Sequence, residues 1–268
     1  MNGRATSDPI MAAMRGHHSR SSDFISLPKR TLRILGVFWH LVLGLLTAAL
    51  AFPFYNAWRR HRAIRLWSVR LLRQLGVRLR VEGALTDSRP LLLVANHVSW
   101  LDIFAINAVH PVRFVAKAEI RRWPAIGWLC QRSGTLFIER GRRRDAGRVS
   151  LMMAQAMQAG DLVAVFPEGT TSDGTQVLRF HSALLQPALK SAAVVQPVAL
   201  RFEEGDGTLC TDAAYDGDKS LWRSLCDIIA RPMIVARISF LPVLHAQPDR
   251  RALADAARMA IASRLQQP

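Results

Sequence analysis

From Val77 onward, short apolar runs alternate with helical patterns. The runs are Val77–Val81, Leu91–Ala95, Val112–Ala116, Thr135–Glu139, Leu162–Phe166, Val194–Leu200 and Ile234–Leu241. Several are apolar at nearly every position, which is how strands covered on both faces read. Between them, Leu101–Val109, Ala146–Ala159 and Leu184–Lys190 have helical spacing, and residues 250–265 read as a closing helix. Strands separated by helices predict an α/β fold, a mixed and largely parallel sheet flanked by helices. Glu203–Asp218, with Gly205, Gly207 and Gly217, reads as an exposed loop or a small excursion, to which no chemistry is assigned.

The first 76 residues follow a different pattern. Residues 1–27 are rich in Ser, Arg, Gly and His without periodicity and are expected to be a disordered basic leader. Ile34–Ala57 then runs for 24 residues without Asp, Glu, Lys or Arg. A helix of that length can cross the roughly 30 Å hydrocarbon core of a bilayer. Pro53 can bend it, so a hairpin dipping into one leaflet, or a buried core helix, stays open beside a spanning helix. A secretory signal fits poorly: the run starts at Ile34, is too long for an h-region and lacks a small-residue cleavage site. Residues 59–76 set Ile64, Trp67, Leu71, Leu72 and Leu75 among Arg60, Arg62, Arg65, Arg70 and Arg73, an amphipathic basic helix suited to a lipid interface or, alternatively, to packing on the catalytic domain. The expected organisation is leader 1–27, membrane-associated helical segment 28–76 and catalytic domain 77–268.

Charge sharpens the N-terminal reading. The chain carries a formal +16, and residues 1–80 hold 14 Lys or Arg against 2 acids. Clustered cations suit nucleic acid or an anionic membrane surface, and the adjoining apolar run selects the membrane. Basic residues flank both ends of the run, so orientation is weakly set, with the C-terminal side preferred for the cytoplasm. Cys130, Cys210 and Cys226 show neither ligand spacing nor an even disulfide framework, in keeping with a reducing compartment.

Polar residues gather where strands end. Asn96, His97, Ser99 and Asp102 follow Leu91–Ala95; Glu139 and Arg140 close Gly134–Ile138; Pro167-Glu168-Gly169-Thr170-Thr171 follows Leu162–Phe166. In open α/β sheets ligands bind beyond the carboxyl ends of strands, so these loops are candidates for one site. An imidazole and a carboxylate five residues apart are the parts that activate a hydroxyl: the first takes the proton and the second stabilises the resulting cation. No clustered two-His or multi-Cys ligand set implies a metal.

Taken together, these blocks resemble the glycerolipid acyltransferase family, the lysophosphatidate acyltransferases and their relatives, over about residues 77–245. Asn-His-x-Ser-x-x-Asp stands at 96–102, Gly-x-hydrophobic-Phe-Ile-acidic-Arg at 134–140 and Phe-Pro-Glu-Gly-Thr at 166–170, with Pro197 as a short fourth block and Lys117 and Glu119 in a Lys-x-Glu stretch. The resemblance implies that His97 is the general base and Asp102 orients it. It places Asn96, Ser99, Lys117, Arg140, Glu168, Gly169 and Thr170 with substrate, Arg140 being suited to phosphate oxygens. Glu168 either bonds the acceptor's hydroxyl or braces Arg140 and neighbouring N–H groups. One departure stands out: many relatives have Arg after Glu-Gly-Thr, whereas this chain has Thr171. Arg179, His181 or Lys117 substitutes for that cation, or the acceptor is less anionic.

The expected activity is O-acyl transfer from acyl-CoA or acyl-carrier protein, as co-substrate and with no cofactor, to the free hydroxyl of 1-acylglycerol 3-phosphate, forming phosphatidate. Lyso-ornithine lipid or another lysolipid is the alternative acceptor. A Ser99 nucleophile lacks a Gly-x-Ser-x-Gly elbow. A non-catalytic lipid-binding protein would not need His97, Asp102, Arg140 and Glu168 together, and nucleic-acid binding leaves the apolar run unexplained. The expected location is a bacterial inner membrane with the catalytic domain on its cytoplasmic face; oligomeric state is not encoded in the pattern.

Overall fold

The computed structural model describes residues 24–139, 143–244 and 248–267, with the backbone alone at 143, 144 and 146. Seven strands form one mixed sheet in the order β1-β7-β6-β2-β5-β3-β4. They are β1 Val77–Glu82, β2 Leu91–Ala95, β3 Arg113–Lys117, β4 Leu136–Ile138, β5 Val163–Val165, β6 Val194–Glu203 and β7 Ile234–Phe240. β6, β2, β5, β3 and β4 are parallel neighbours, and β7 pairs antiparallel with β6 and parallel with β1. β2 is central and all five of its residues are buried, as its unbroken apolar run requires. All seven expected strands are present. β6 runs three residues beyond Leu200 because Phe202 and Glu203 pair with Ala236 and Val235 of β7.

The helices are α1 Leu27–Leu46, α2 Ala57–Gln74, α3 Leu101–Val109, α4 Ile126–Arg132, α5 Arg143–Gln158, α6 Gln186–Lys190, α7 Leu221–Ala230 and α8 Arg250–Gln266. One apolar layer joins Leu93, Phe114 and Phe202 to Leu72, Leu101, Ile106 and Ile228, so α2, α3 and α7 cover one face. The other joins Leu92, Val165 and Ala199 to Met153, Ala188 and Ile261 under α5, α6 and α8. The segment 203–218 is exposed at 205–208 and then forms a small packed excursion. Cys210, Ala213 and Ala214 are buried, and Lys219 Nζ donates to the Asp212 and Ala214 carbonyls at 3.3 and 2.9 Å. It is a structured cap over the carboxyl end of β6.

Residues 1–23 of the expected leader lie outside the described residues. Helix α1 begins at Leu27, continues into a π turn at Thr47–Ala51 and a 3-10 turn at Phe52–Phe54, and gives way to α2 after Asn56. Pro53 lacks an N–H and so interrupts the helical hydrogen-bond ladder, and the chain becomes extended at Tyr55. Asn56 caps α2 by accepting from Arg59 N at 2.9 Å. The two helices return on each other as a hairpin. Trp67 Nε1 donates to His40 O at 3.1 Å, His40 Nε2 lies 2.9 Å from Trp67 O, and the rings stack at 4.7 Å. A Cβ at Gly44 would sit 2.5 Å from Trp67 Nε1, so the residue there must be glycine for the helices to meet.

The hairpin is fastened to the domain at two levels. Trp67 packs on Phe104 of α3 at 5.5 Å, and Arg65 Nε donates to Ala108 O at 3.2 Å. The Arg33 guanidinium donates to the carbonyls of Ile229, Arg231 and Pro232 at 3.1, 2.7 and 3.1 Å, satisfying the C-terminal end of α7 with a cation where the helix dipole favours one. The opposite surface of α1 is bare: Leu32, Phe38, Trp39, Leu43, Leu50 and Phe54 are all exposed. Leu27–Phe54 is long and apolar enough to cross a membrane.

Replacing Gly44 with Leu overpacks the His40–Trp67 contact. The expected cost is roughly 1–3 kcal/mol of hairpin docking. Limited proteolysis of detergent-purified protein should then cut faster around residues 54–57 while the circular-dichroism signal of the sheet is kept; unchanged cleavage would disprove the contact's role.

Candidate active site

The parallel strands β2, β5, β3, β4 and β6 all end on one edge of the sheet, and the polar blocks follow from those ends. After β2 the chain turns through Asn96–Trp100 into α3, which places Asp102 in that helix's first turn. Asp102 Oδ2 accepts from His97 Nδ1 at 2.7 Å, Val98 N at 2.8 Å and Ser99 N at 2.9 Å. The carboxylate is fully buried, and the positive end of α3 adds to the field that holds it. With Nδ1–H donated to Asp102, the lone pair of His97 sits on Nε2. The imidazole is one-fifth exposed, whereas the Asp102 side chain that holds it has no exposed surface.

Phe166 fixes the ring plane. The His97 and Phe166 rings stack 4.1 Å apart at 11°, and Phe114 stacks behind Phe166 at 5.6 Å. A histidine tied by one hydrogen bond retains rotation about that bond, and the stacked ring removes it. An imidazole held in this way can take a proton at Nε2 and pass it on without moving.

Glu168 sits on the loop after β5 and is buried. Its Oε1 accepts from His97 N at 3.0 Å and its Oε2 from Leu178 N at 3.3 Å. Burial pushes its carboxyl up to about 7, opposed by these two backbone donors and reinforced by the nearby Asp102 charge. The same loop is stitched to residue 97 once more, Ser172 N donating to His97 O at 2.8 Å. Tyr215 N donates to Val98 O at 2.9 Å, and the Thr171 hydroxyl donates to Tyr215 O. The structured cap thus forms one wall of the site beside Thr171.

Two of the residues expected at the substrate have side chains bonded to backbone. The Asn96 carboxamide is buried and spent on β6, donating to Leu200 O at 2.9 Å and accepting from Leu200 N at 2.8 Å. Ser99 is buried, and its hydroxyl accepts from Leu101 N at 3.3 Å at the start of α3. Gly169 and Thr170 follow Glu168 in the turn, with Thr170 exposed. Lys117 ends β3 on the same edge and is exposed, as are Arg179 and His181. Arg140 lies outside the described residues. Pro197 is inside β6, in register with Val94, and shapes the strand. Phe166, Tyr215 and Leu178 were not singled out from the sequence; only Phe166 carried a signal, as the first residue of the Phe-Pro-Glu-Gly-Thr block. Among the described residues no group of three or more His, Cys, Asp or Glu is placed to hold a metal.

Comparison with known proteins gives a consistent picture. A family model described as Acyltransferase matches residues 77–201. A lyso-ornithine lipid O-acyltransferase of Pseudomonas aeruginosa is 37% identical over 203 residues, which is 75% of this chain and 78% of that protein. A 1-acyl-sn-glycerol-3-phosphate acyltransferase of Neisseria meningitidis is 41% identical over 166 residues, 61% of this chain and 65% of that protein. Among solved structures, the 1-acyl-sn-glycerophosphate acyltransferase PlsC of Thermotoga maritima superposes with a TM-score of 0.65 at 20% identity, covering 89% of this chain and 97% of that one. That last likeness concerns the fold.

Glu168 gives the site a pH signature. A carboxyl whose folded pKa lies above its unfolded value near 4.5 holds its proton more tightly when folded. Its contribution is therefore fully present below about pH 4.5 and is lost as pH rises through about 7, a change on the order of 3 kcal/mol. Unfolding midpoints measured across that window should fall with rising pH, and Glu168→Gln should flatten the slope; an unchanged slope in the variant would refute the assignment.

Proposed function

This chain belongs to the acyltransferase family of lysolipid-acylating enzymes, and from that premise we propose that it transfers a fatty acyl group to the free hydroxyl of 1-acylglycerol 3-phosphate, forming phosphatidate. The observation that carries the reading is the His97–Asp102 pair, bonded at 2.7 Å with Nε2 left for the acceptor. The hydroxyl gives its proton to Nε2 as its oxygen attacks the thioester carbonyl of acyl-CoA or acyl-carrier protein. Asp102 stabilises the imidazolium. As the tetrahedral intermediate collapses, the C–S bond breaks and the leaving thiolate recovers that proton from Nε2. An ester and a free thiol result, with no covalent enzyme intermediate and no cofactor. Glu168 is assigned to positioning: it supports the backbone of His97 rather than meeting an anionic headgroup. Asn96 and Ser99 are assigned to the same task. Arg140, with Arg142, Arg143 and Arg144 after it in sequence, supplies the cationic character that a phosphate needs.

A second acceptor is favoured by one feature. Thr171 stands where an arginine would add a cation, and its hydroxyl is engaged with Tyr215 O. That suits a lysolipid without a phosphate monoester, such as a lyso-ornithine lipid, the substrate class in the name of the Pseudomonas relative.

The hairpin is proposed to hold the enzyme in one leaflet of a bacterial inner membrane, with the domain on the cytoplasmic face. Both helices of the hairpin return to the domain side: Arg33 at the start of α1 grips α7, and Arg65 of α2 donates to Ala108 O of α3 at 3.2 Å. α1 then enters the acyl region while the arginines of α2 stay among headgroups. The lipid acceptor reaches the site without leaving the leaflet.

Membranes carrying the protein, labelled acyl thioester and a panel of lysolipids test the reaction. His97→Ala should lower the rate about 10²–10⁴-fold, the usual worth of a general base; wild-type turnover in that variant would remove His97 from the mechanism. Thr171→Arg should shift the ratio of lysophosphatidate to lyso-ornithine lipid use upward by roughly 10- to 100-fold, the effect of one added charge-assisted hydrogen bond of about 1.5–3 kcal/mol. An unmoved ratio would show that position 171 does not read the headgroup.

A further inference from the structure

β3 ends at Lys117, and the chain leaves the sheet through a 3-10 turn at Ala118–Arg122 before entering α4. Arg121, Arg122, Trp123, Pro124, Ala125 and Ile126 form an unbroken exposed run, Trp123 and Ile126 being 44% and 38% exposed. An exposed Trp and Ile three residues apart, with Pro between them, make an apolar knuckle outside the hairpin.

The knuckle has a fixed shape. Ile126 N donates to Pro124 O at 2.6 Å, and Ala125 between them has φ +58° and ψ −50°, a γ-turn of the strained hand. Strain of that kind at a residue other than glycine persists only where the surroundings impose it. They do so here: Trp123 N donates to Ile120 O at 3.1 Å, Gly127 N donates to Trp123 O at 2.9 Å, and a Cβ on Gly127 would lie 2.3 Å from Arg121 O. Trp123 and Ile126 are thus exposed by a rigid turn and not by a loose one.

Charge and position indicate what covers it. Residues 117–132 contain Lys117, Arg121, Arg122 and Arg132 against the single acid Glu119. Among the described residues none of these four cations is in an ion pair. Arginines beside a Trp and an Ile are the composition of an anionic lipid interface. The turn follows the carboxyl end of β3, the sheet edge at which β2 delivers His97 and β5 delivers Glu168. The connections β2–α3–β3 and β3–α4–β4 both advance toward the β4 edge, so right-handed crossovers set α3 and α4 on one face. That face carries the hairpin, which packs on α3 and against β1 at the opposite edge of the sheet.

We infer that residues 121–128 are a second lipid-contact surface, seated on the anionic headgroups of the leaflet that receives α1. The enzyme then rests on the membrane at both sides of α3, with the edge that carries His97 between the two supports. The hairpin anchors; the knuckle sets the tilt at which the site meets the lipid surface.

The test uses the full chain, which stays vesicle-bound through its hairpin. In a Cys130→Ser, Cys226→Ser background, Ile126→Cys is labelled with an environment-sensitive NBD dye, and Met259→Cys on the exposed side of α8 provides a comparison site. In vesicles of phosphatidylglycerol and phosphatidylethanolamine, the dye at 126 should emit to the blue and be quenched severalfold more by nitroxide lipids than the dye at 259. Adding Arg121→Glu and Arg122→Glu should abolish most of that difference with the protein still bound. Water-like emission at 126 in bound protein would overturn the proposal. So would an equal response in pure phosphatidylcholine, or a response to acyl-carrier protein in detergent without vesicles. No turnover is measured, so an error in the acceptor assignment leaves this test unaffected.

Discussion

The site depends on burying the Asp102 carboxylate, whose one ion-pair partner among the described residues is the imidazole it orients. A charge taken out of water must find hydrogen-bond donors nearby, and Asp102 finds them in Val98 N, Ser99 N and His97 Nδ1, all on one oxygen. This requirement dictates the shape of the turn after β2 and the start of α3 one residue ahead of Asp102. It explains why Asn96 and Ser99, which look like contacts for substrate, are committed to backbone. They hold a turn whose N–H groups must converge. Glu168 repeats the solution from the other side, its two oxygens taken by His97 N and Leu178 N. Residue 97 is therefore fixed by one carboxylate through its ring and by another through its backbone.

In the proposed mechanism, a base held this rigidly cannot travel to find its substrate, so the substrate must be brought to it. The hairpin answers that constraint. Its inner side is specific, with Gly44 against Trp67 and Arg33 over the end of α7, while its outer side is a plain apolar surface. Specific packing transmits the position of the domain; unspecific packing leaves lateral diffusion in the lipid free. Two supports on one face, the hairpin and the rigid turn at Pro124–Ile126, would further reduce the ways the sheet edge can face the bilayer.

The strands could be read from the sequence because apolar runs buried on both faces need no partner to be recognised, and β2 is the clearest of them. The His97–Asp102 pair was readable because both members sit within one turn. What escaped depends on contacts between distant residues. The bond between Asn96 and Leu200 joins positions 104 apart, and no local pattern distinguishes a carboxamide bonded to backbone from one bonded to ligand. The segment 203–218 has the composition of a loop, yet it buries Cys210, Ala213 and Ala214 because β6 ends beneath it. α4 has only seven residues after Pro124, too few to display a helical period, and α7 begins at once after the Asp- and Gly-rich stretch.

Two buried carboxylates near one histidine also constrain the acceptor. The Asp102 charge adds to burial in keeping Glu168 protonated up to about pH 7, so the site already resists a second negative charge. A phosphate monoester would bring up to two more, and the site can accept it only where cations stand between it and the pair. Lys117 is available at the end of β3, and the arginines at 140, 142, 143 and 144 follow β4 in sequence, whereas the loop after β5 contributes Thr171 bonded to a carbonyl. On the proposed reading, headgroup choice falls to the residues that follow β3 and β4 in sequence. The β5 side, with its stacked Phe166 and its two bonds to His97, is engaged in holding the base.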